Sequence, residues 1–228
     1  IILSSSFGLY TWMNNPESQM VAVTVRAGSK AEMALPDGTF VHLNAATNLE
    51  YDVNNSKQRL VKLSGEAFFD VAKNPDCPFK VIINDLQIEV VGTSFNVKTY
   101  KKDIVETSLL SGRIRISGGS LPHEYTLSPG QKATYSAMDR TLRISKADAH
   151  VEAGWRDNYL IFESTPLIDV IAQIERWYGV EIRLHHKQIA QDLLSGSFRN
   201  ESIQNVIRSL SIQYGFKYEI HKDIITIY

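Results

Sequence analysis

The sequence predicts a mainly β N-terminal domain followed by a small α+β domain made of two strand–helix–strand repeats. Three observations predict it. From residue 21 to about 145, apolar and polar residues alternate at period two, and Gly, Pro and Asn punctuate the runs. After "ADAHVEAGWRDNY" the apolar period lengthens to that of a helix. The second pattern then recurs 36 residues later, Phe162 meeting Phe198. The expected divisions are residues 1–20 as a membrane-proximal segment, 21–148 as the β-domain and 152–228 as the α+β domain.

In the β-domain, "MVAVTVRAGSKAEMALPDGTFVHLNA" gives three short strands, broken at Ala27-Gly28 and at Pro36-Asp37-Gly38. The second break is a turn with a mechanism: Pro presets φ, Asp bonds nearby backbone and Gly takes positive φ. "RLVKLSGEAFFDV", "FKVIIN", "QIEVVGTSFNVKTY", "VETSLLSGRIRIS", "KATYS" and "TLRIS" continue the series, with Gly65, Gly92 and Gly112 at expected bulges or bends. The pattern predicts antiparallel pairing and is compatible with a solenoid-like or a sandwich-like arrangement.

In the second domain, Leu167, Val170, Ile171, Ile174 and Tyr178 follow a helical repeat. Thr165 reads as the cap, Pro166 as the first helical residue and Gly179 as the stop. Val180, Ile182 and Leu184 then alternate as a strand. In the second copy, Val206, Ile207, Tyr214 and Gly215 match Val170, Ile171, Tyr178 and Gly179, and Leu210 replaces Ile174. Two βαβ units closed by a last strand "IITIY" are expected.

Lys plus Arg total 24 against 25 Asp plus Glu, so nothing in the charge balance favours nucleic acid or an anionic membrane surface. The single Cys77 excludes an internal disulfide framework, and no cation pattern marks it as a nucleophile. The six histidines (42, 123, 150, 185, 186 and 221) form no H-x-x-x-H, and adjacent His185 and His186 would face opposite ways on a strand. "SGGS" at 117–120 lacks both phosphate-loop patterns, and no G-x-S-x-G elbow is present. No metal or cofactor is therefore expected.

Glu66 and Asp70 in "SGEAFFDV" are a candidate pair of catalytic carboxylates. On one strand face they stand roughly 13 Å apart, which suits scaffold better than a glycosidase pair. Ala67, Phe69 and Val71 are expected to face the core, and Glu66 and Asp70 a polar layer or solvent. The opening "IILSSSFGLYTWMNN" carries no charge, and Tyr10 and Trp12 suit a membrane interface. It reads as the outer end of a membrane-spanning helix, with an ordinary linker or N-terminal helix as the alternative.

"LPDGTFVHLNAATNLEYD", "RLVKLSGEAFFDVAKNPDCPFKV", "IEVVGTSFNVKTY" and "SLLSGRIRIS…LSPGQKATY", in this order, resemble the FecR-type anti-sigma regulators of Gram-negative bacteria. The repeat after Trp155, with "IERWYGVEI", resembles the STN-like C-terminal domain of that family. The resemblance implies the periplasmic part of an inner-membrane protein anchored by one N-terminal helix. It implies a cytoplasmic segment that holds an extracytoplasmic-function sigma factor. Its further partners would be the N-terminal signalling domain of a TonB-dependent transporter and regulatory proteases. Some members of the family cleave themselves at a Gly-Thr bond, which makes Gly92 and Thr93 candidates here. The uncharged strand Ile224, Ile225, Thr226, Ile227 and Tyr228 is expected to be an open edge for strand addition by the partner, or else a covered central strand. A glycan hydrolase using Glu66 and Asp70, or an oligomerising structural adaptor, are the alternatives to a signal relay.

Overall fold

The structure, a computed structural model, describes residues 19–53, 59–185 and 187–228. The expected membrane-proximal segment lies almost wholly outside the described residues, as does His186. Strands β1 (Met20–Val25), β2 (Ala31–Ala34), β3 (Phe40–Leu43), β4 (Thr47–Asp52), β5 (Arg59–Ser64), β6 (Glu66–Asp70) and β7 (Phe79–Ile83) open the chain. They are followed by β8 (Leu86–Val90), β9 (Ser94–Lys98), β10 (Ile104–Ser111), β11 (Ile114–Gly118), β12 (Tyr125–Leu127), β13 (Gln131–Ser136) and β14 (Thr141–Lys146). They form two sheets, ordered β1-β4-β5-β7-β8-β11-β12 and β14-β13-β10-β9-β6-β3-β2. Every neighbouring pair is antiparallel except β5 with β7.

The two sheets share one core, so the arrangement is sandwich-like. Phe79, Val81 and Ile88 of the first sheet meet Val41, Phe69, Phe95 and Val97 of the second. Phe69 stacks on Phe95 with ring centres 5.2 Å apart and reaches across to Phe79 at 5.8 Å. The chain changes sheet between β5 and β6, at Gly65. There φ is +117°, and a Cβ would lie 2.5 Å from Thr47 Oγ1, so only glycine fits. In the Pro36-Asp37-Gly38 turn, Asp37 Oδ1 accepts from the Thr39 N–H at 3.0 Å, and Asp37 Oδ2 pairs with buried Arg59 at 3.2 Å.

After β14, α1 (Ala149–Ala153) and a 3-10 turn over Gly154–Asp157 lead into β15 (Tyr159–Pro166), α2 (Leu167–Tyr178) and β16 (Glu181–Leu184). The second copy is β17 (Leu193–Arg199), α3 (Ile203–Tyr214) and β18 (Tyr218–His221), and β19 (Ile224–Ile227) ends the fold. Val170, Ile171 and Ile174 of α2 and Val206, Ile207 and Leu210 of α3 are all buried in one second core, as their periodicity requires. The repeat-related Phe162 and Phe198 meet edge to face, 6.4 Å between centres. Gly179 and Gly215 end the helices in left-handed geometry.

Two details depart from the sequence reading. Helix α2 begins one residue later than expected: Pro166 itself is the N-cap, and the Thr165 hydroxyl bonds back to the Glu163 carbonyl instead of capping. The strands of each repeat also do not pair within that repeat. β15 pairs with β17, and β16 and β18 both pair with β19, so no parallel βαβ unit in a single sheet is formed.

The order β16-β19-β18 places "IITI" in the middle of its sheet, which removes its role as an open edge. The physical reason is local. The turn at Lys222, with φ 53°, folds β19 back on β18, and Ile225 and Ile227 then bury against the helices. A short uncharged strand suits such a central, covered position.

Candidate functional site

The outer face of β6 and β9 is covered by the C-terminal unit, and a polar cluster is buried where they meet. Glu66, at the start of β6, is 6% exposed although it faces away from the sandwich core. Its two oxygens accept from Asn44 Nδ2 at 2.8 Å and from Asn96 Nδ2 at 2.9 Å. Asn96, on β9, in turn accepts from the indole N–H of Trp155 at 3.1 Å. Trp155 is itself buried with Phe68 and Ala153, packed by Leu110 and Trp177. The Arg156 guanidinium lies 3.6 Å from the centre of the Phe68 ring.

Lys30, in the segment between β1 and β2, is the second anchor. Its Nζ donates to the Trp155 carbonyl at 2.6 Å and to Asn158 Oδ1 at 3.0 Å, and sits 3.7 Å above the Trp177 ring. Burial pushes its pKa down to about 8, with the Glu66 charge opposing part of that shift. Close by, the Gly28 N–H donates to the Arg176 carbonyl at 2.8 Å. A Cβ on Gly28 would approach the Tyr178 carbonyl to 3.1 Å, so this tight contact depends on glycine. The guanidinium of Arg176, on α2, lies 4.2 Å from the Tyr100 ring centre. Burial lowers the Arg176 pKa, and burial together with the Glu66 charge raises that of Tyr100. Two ion pairs close the rim, Lys101 with Asp169 at 2.6 Å and Lys132 with Glu152 at 2.9 Å.

The arrangement joins the C-terminal unit to the sandwich through hydrogen-bonded polar side chains. Glu66 has both oxygens engaged, and Asp70 lies at the far end of β6, exposed and bonded to Ser94 Oγ at 2.7 Å. The two carboxylates are not brought together. Ala67, Phe69 and Val71 do face the core, and Glu66 faces a polar layer, the one formed with Asn44 and Asn96 under the C-terminal unit, with Phe68 buried beside it. Among the described residues no cluster of His, Cys, Asp and Glu could hold a metal.

Thr93 is buried, and its hydroxyl donates to the Arg113 carbonyl at 3.1 Å. The backbone carbonyl of Cys77 accepts from Arg59 Nε at 2.6 Å. In the last strand, Ile225 and Ile227 belong to the core, whereas Tyr228 is 52% exposed and stacks on His185. Lys30 and Trp155 fall in none of the motifs that carry the family resemblance, and Asn96 and Arg176 lie within "IEVVGTSFNVKTY" and "IERWYGVEI" without being singled out there. The available signal was weak: a polar Asn96 between Phe95 and Val97 in a buried strand.

Residues 21–115 match the family model described as FecR protein, and residues 159–227 match the one described as FecR, C-terminal. A crystal structure at 1.65 Å of a candidate anti-sigma factor from Parabacteroides distasonis ATCC 8503 superposes with a TM-score of 0.82 and 30% identity. The match covers 91% of this chain and 98% of that one. The chain belongs to the FecR family of anti-sigma factors. A second crystal structure with the same description, at 2.50 Å, gives a TM-score of 0.82 at 30% identity over 92% of this chain and 99% of that chain. No curated protein matches the chain. The FecR family is regulatory, and its partner on the transcription side is a sigma factor. No helix among the described residues is long and apolar enough to cross a membrane.

Proposed function

We propose that this FecR-type chain is the periplasmic signal-relay part of an anti-sigma factor anchored in the inner membrane by an N-terminal helix. It senses the N-terminal signalling domain of a TonB-dependent outer-membrane transporter through its STN-like C-terminal unit. It thereby controls an extracytoplasmic-function sigma factor bound to a cytoplasmic segment, with regulatory proteases completing the release. The observation that carries this reading is the mechanical route from α2 to the N-terminus. The end of α2 is bonded to Gly28 in the turn that directly follows β1, the strand nearest the N-terminal segment. Lys30 ties the same turn to Trp155 and Trp177. A shift of α2 on binding a partner must therefore move β1 or break this cluster.

Strand addition passes from β19 to an edge that is hydrogen-bonded on one side only. β16 and β18 carry Glu181, Arg183, Glu219 and His221, charges of the kind that blunt an edge. β17, "LLSGSFR", pairs only with β15 and has its one charge at the end, with Leu193 59% exposed. It is the edge best suited to accept a strand. Tyr228 remains available as a side-chain contact beside His185.

The test is calorimetric titration of the chain with the purified signalling domain of the transporter encoded beside it, using wild type and Ser197→Lys. Wild type binds, and Ser197→Lys weakens binding by about tenfold or more with an unchanged CD spectrum. Absence of binding by wild type overturns the transporter reading. Equal binding by the folded variant removes β17 as the docking edge.

A further inference from the structure

We propose that the cleft between the sandwich and α2 is a binding site for the carboxylate of a small ligand, held by Arg176 and Lys98. The cleft has a volume of about 380 Å3. Its walls are the outward residues of β9, β10 and β13, the outer face of β15 and one side of α2, and Glu66 and Trp155 also line it. That volume falls within the range of small-molecule sites, and a junction between two units is a common place for them.

The charges in the cleft are unevenly satisfied. Lys132 is held by Glu106 at 3.1 Å and Glu152 at 2.9 Å, and Lys101 by Asp169 at 2.6 Å. Among the described residues, no side-chain hydrogen bond or ion pair of this kind engages Lys98 or Arg176. Lys98 lies directly across the strands from Glu66. The Glu66 oxygens, however, already accept from Asn44 and Asn96, and Lys30 and Arg176 feel the same charge. Three cations thus converge on one carboxylate that is already hydrogen-bonded.

The Arg176 guanidinium lies against the Tyr100 ring, and among the described residues its N–H donors have no hydrogen-bond acceptor. A half-buried guanidinium with open donors matches a bidentate carboxylate. A doubly charged phosphate fits less well, because Glu163, Glu152, Glu106 and Asp169 line the same cleft. A ligand seated there touches both units at once, and would bias the position of α2 on the sandwich.

Two sources supply a carboxylate of suitable size: a free organic acid, or the C-terminus of a short peptide. The experiment is isothermal titration of the chain with the monocarboxylate propionate and with tri-alanine, at fixed ionic strength, using the C-terminal amide of tri-alanine as control. Tryptophan fluorescence provides a second readout, because Trp155 lines the cleft. Saturable binding of propionate or tri-alanine is expected, with the amide inert, and the two probes distinguish the sources. Arg176→Gln and Lys98→Gln should each weaken it, the former by about tenfold or more. The proposal is overturned if neither probe binds saturably up to about 10 mM. It is equally overturned if the amide binds as well as the acid, or if a folded variant binds like wild type. Should Arg176→Gln fail to fold, Lys98→Gln decides by the same criterion.

Discussion

Replacing Trp155 with alanine should separate the melting of the two cores. The indole is 6% exposed and fills the contact between Phe68 and Leu110 of the sandwich and Trp177 of α2. Deleting a buried Trp side chain costs about 3–5 kcal/mol through lost burial and the cavity left behind. The variant also strips Asn96 Oδ1 of its indole donor, worth about 1 kcal/mol more. Together, about 4–6 kcal/mol is comparable with the whole stability of a marginal domain. It is lost at the junction and not within either core. Differential scanning calorimetry should show one transition for wild type and two for Trp155→Ala, the C-terminal unit melting first. Trp155→Phe keeps most of the packing and loses only the N–H, so it should lower Tm by about 2–4 °C with a single transition retained. A single transition for Trp155→Ala within about 2 °C of wild type would refute the claim that this side chain couples the units.

Glu66→Ala leaves the amides of Asn44 and Asn96 without their acceptor, at about 1–3 kcal/mol each, so urea unfolding should show a loss of at least ~2 kcal/mol. A neutral effect would mean that the cluster is wet. For Lys30, folding lowers the pKa from 10.5 to about 8, so between those values the unfolded chain holds a proton that the folded chain has released. Its contribution to stability therefore rises with pH through that window, until Tyr100, held neutral in the fold, opposes the trend at higher pH. Urea midpoints from about pH 7.5 to 9.5 should climb for wild type and flatten in Lys30→Met; identical slopes would count against the assignment. At the Gly92-Thr93 bond, the Thr93 hydroxyl is committed to the Arg113 carbonyl. Freshly purified protein should therefore give one intact mass; two fragments meeting at 92/93 would show self-cleavage.

The local features were legible in the sequence, because each is decided by neighbours along the chain. Period-two alternation placed Ala67, Phe69 and Val71 in the sandwich core, and a 3.6 period placed Val170, Ile171 and Ile174 in the second. The glycine stops at Gly179 and Gly215 follow from left-handed geometry that side chains resist. The order of motifs was enough to suggest the family.

Pairing between distant strands was not legible. β15 with β17, and β19 between β16 and β18, are choices among strands of similar composition, and only their joint packing against two helices selects them. The same limit hid the interface. Alternation says that Glu66 and Phe68 leave the sandwich core, but not that Trp155, about 90 residues later, covers the face they leave toward. The sequence by itself determined where most of the strands and the two long helices lie, through the period of their apolar positions. The tertiary structure alone decided that Glu66 is an interface acceptor and not a surface charge. Its burial depends on partners from the turn after β3, from β9 and from the linker that meet only when both cores are formed and docked.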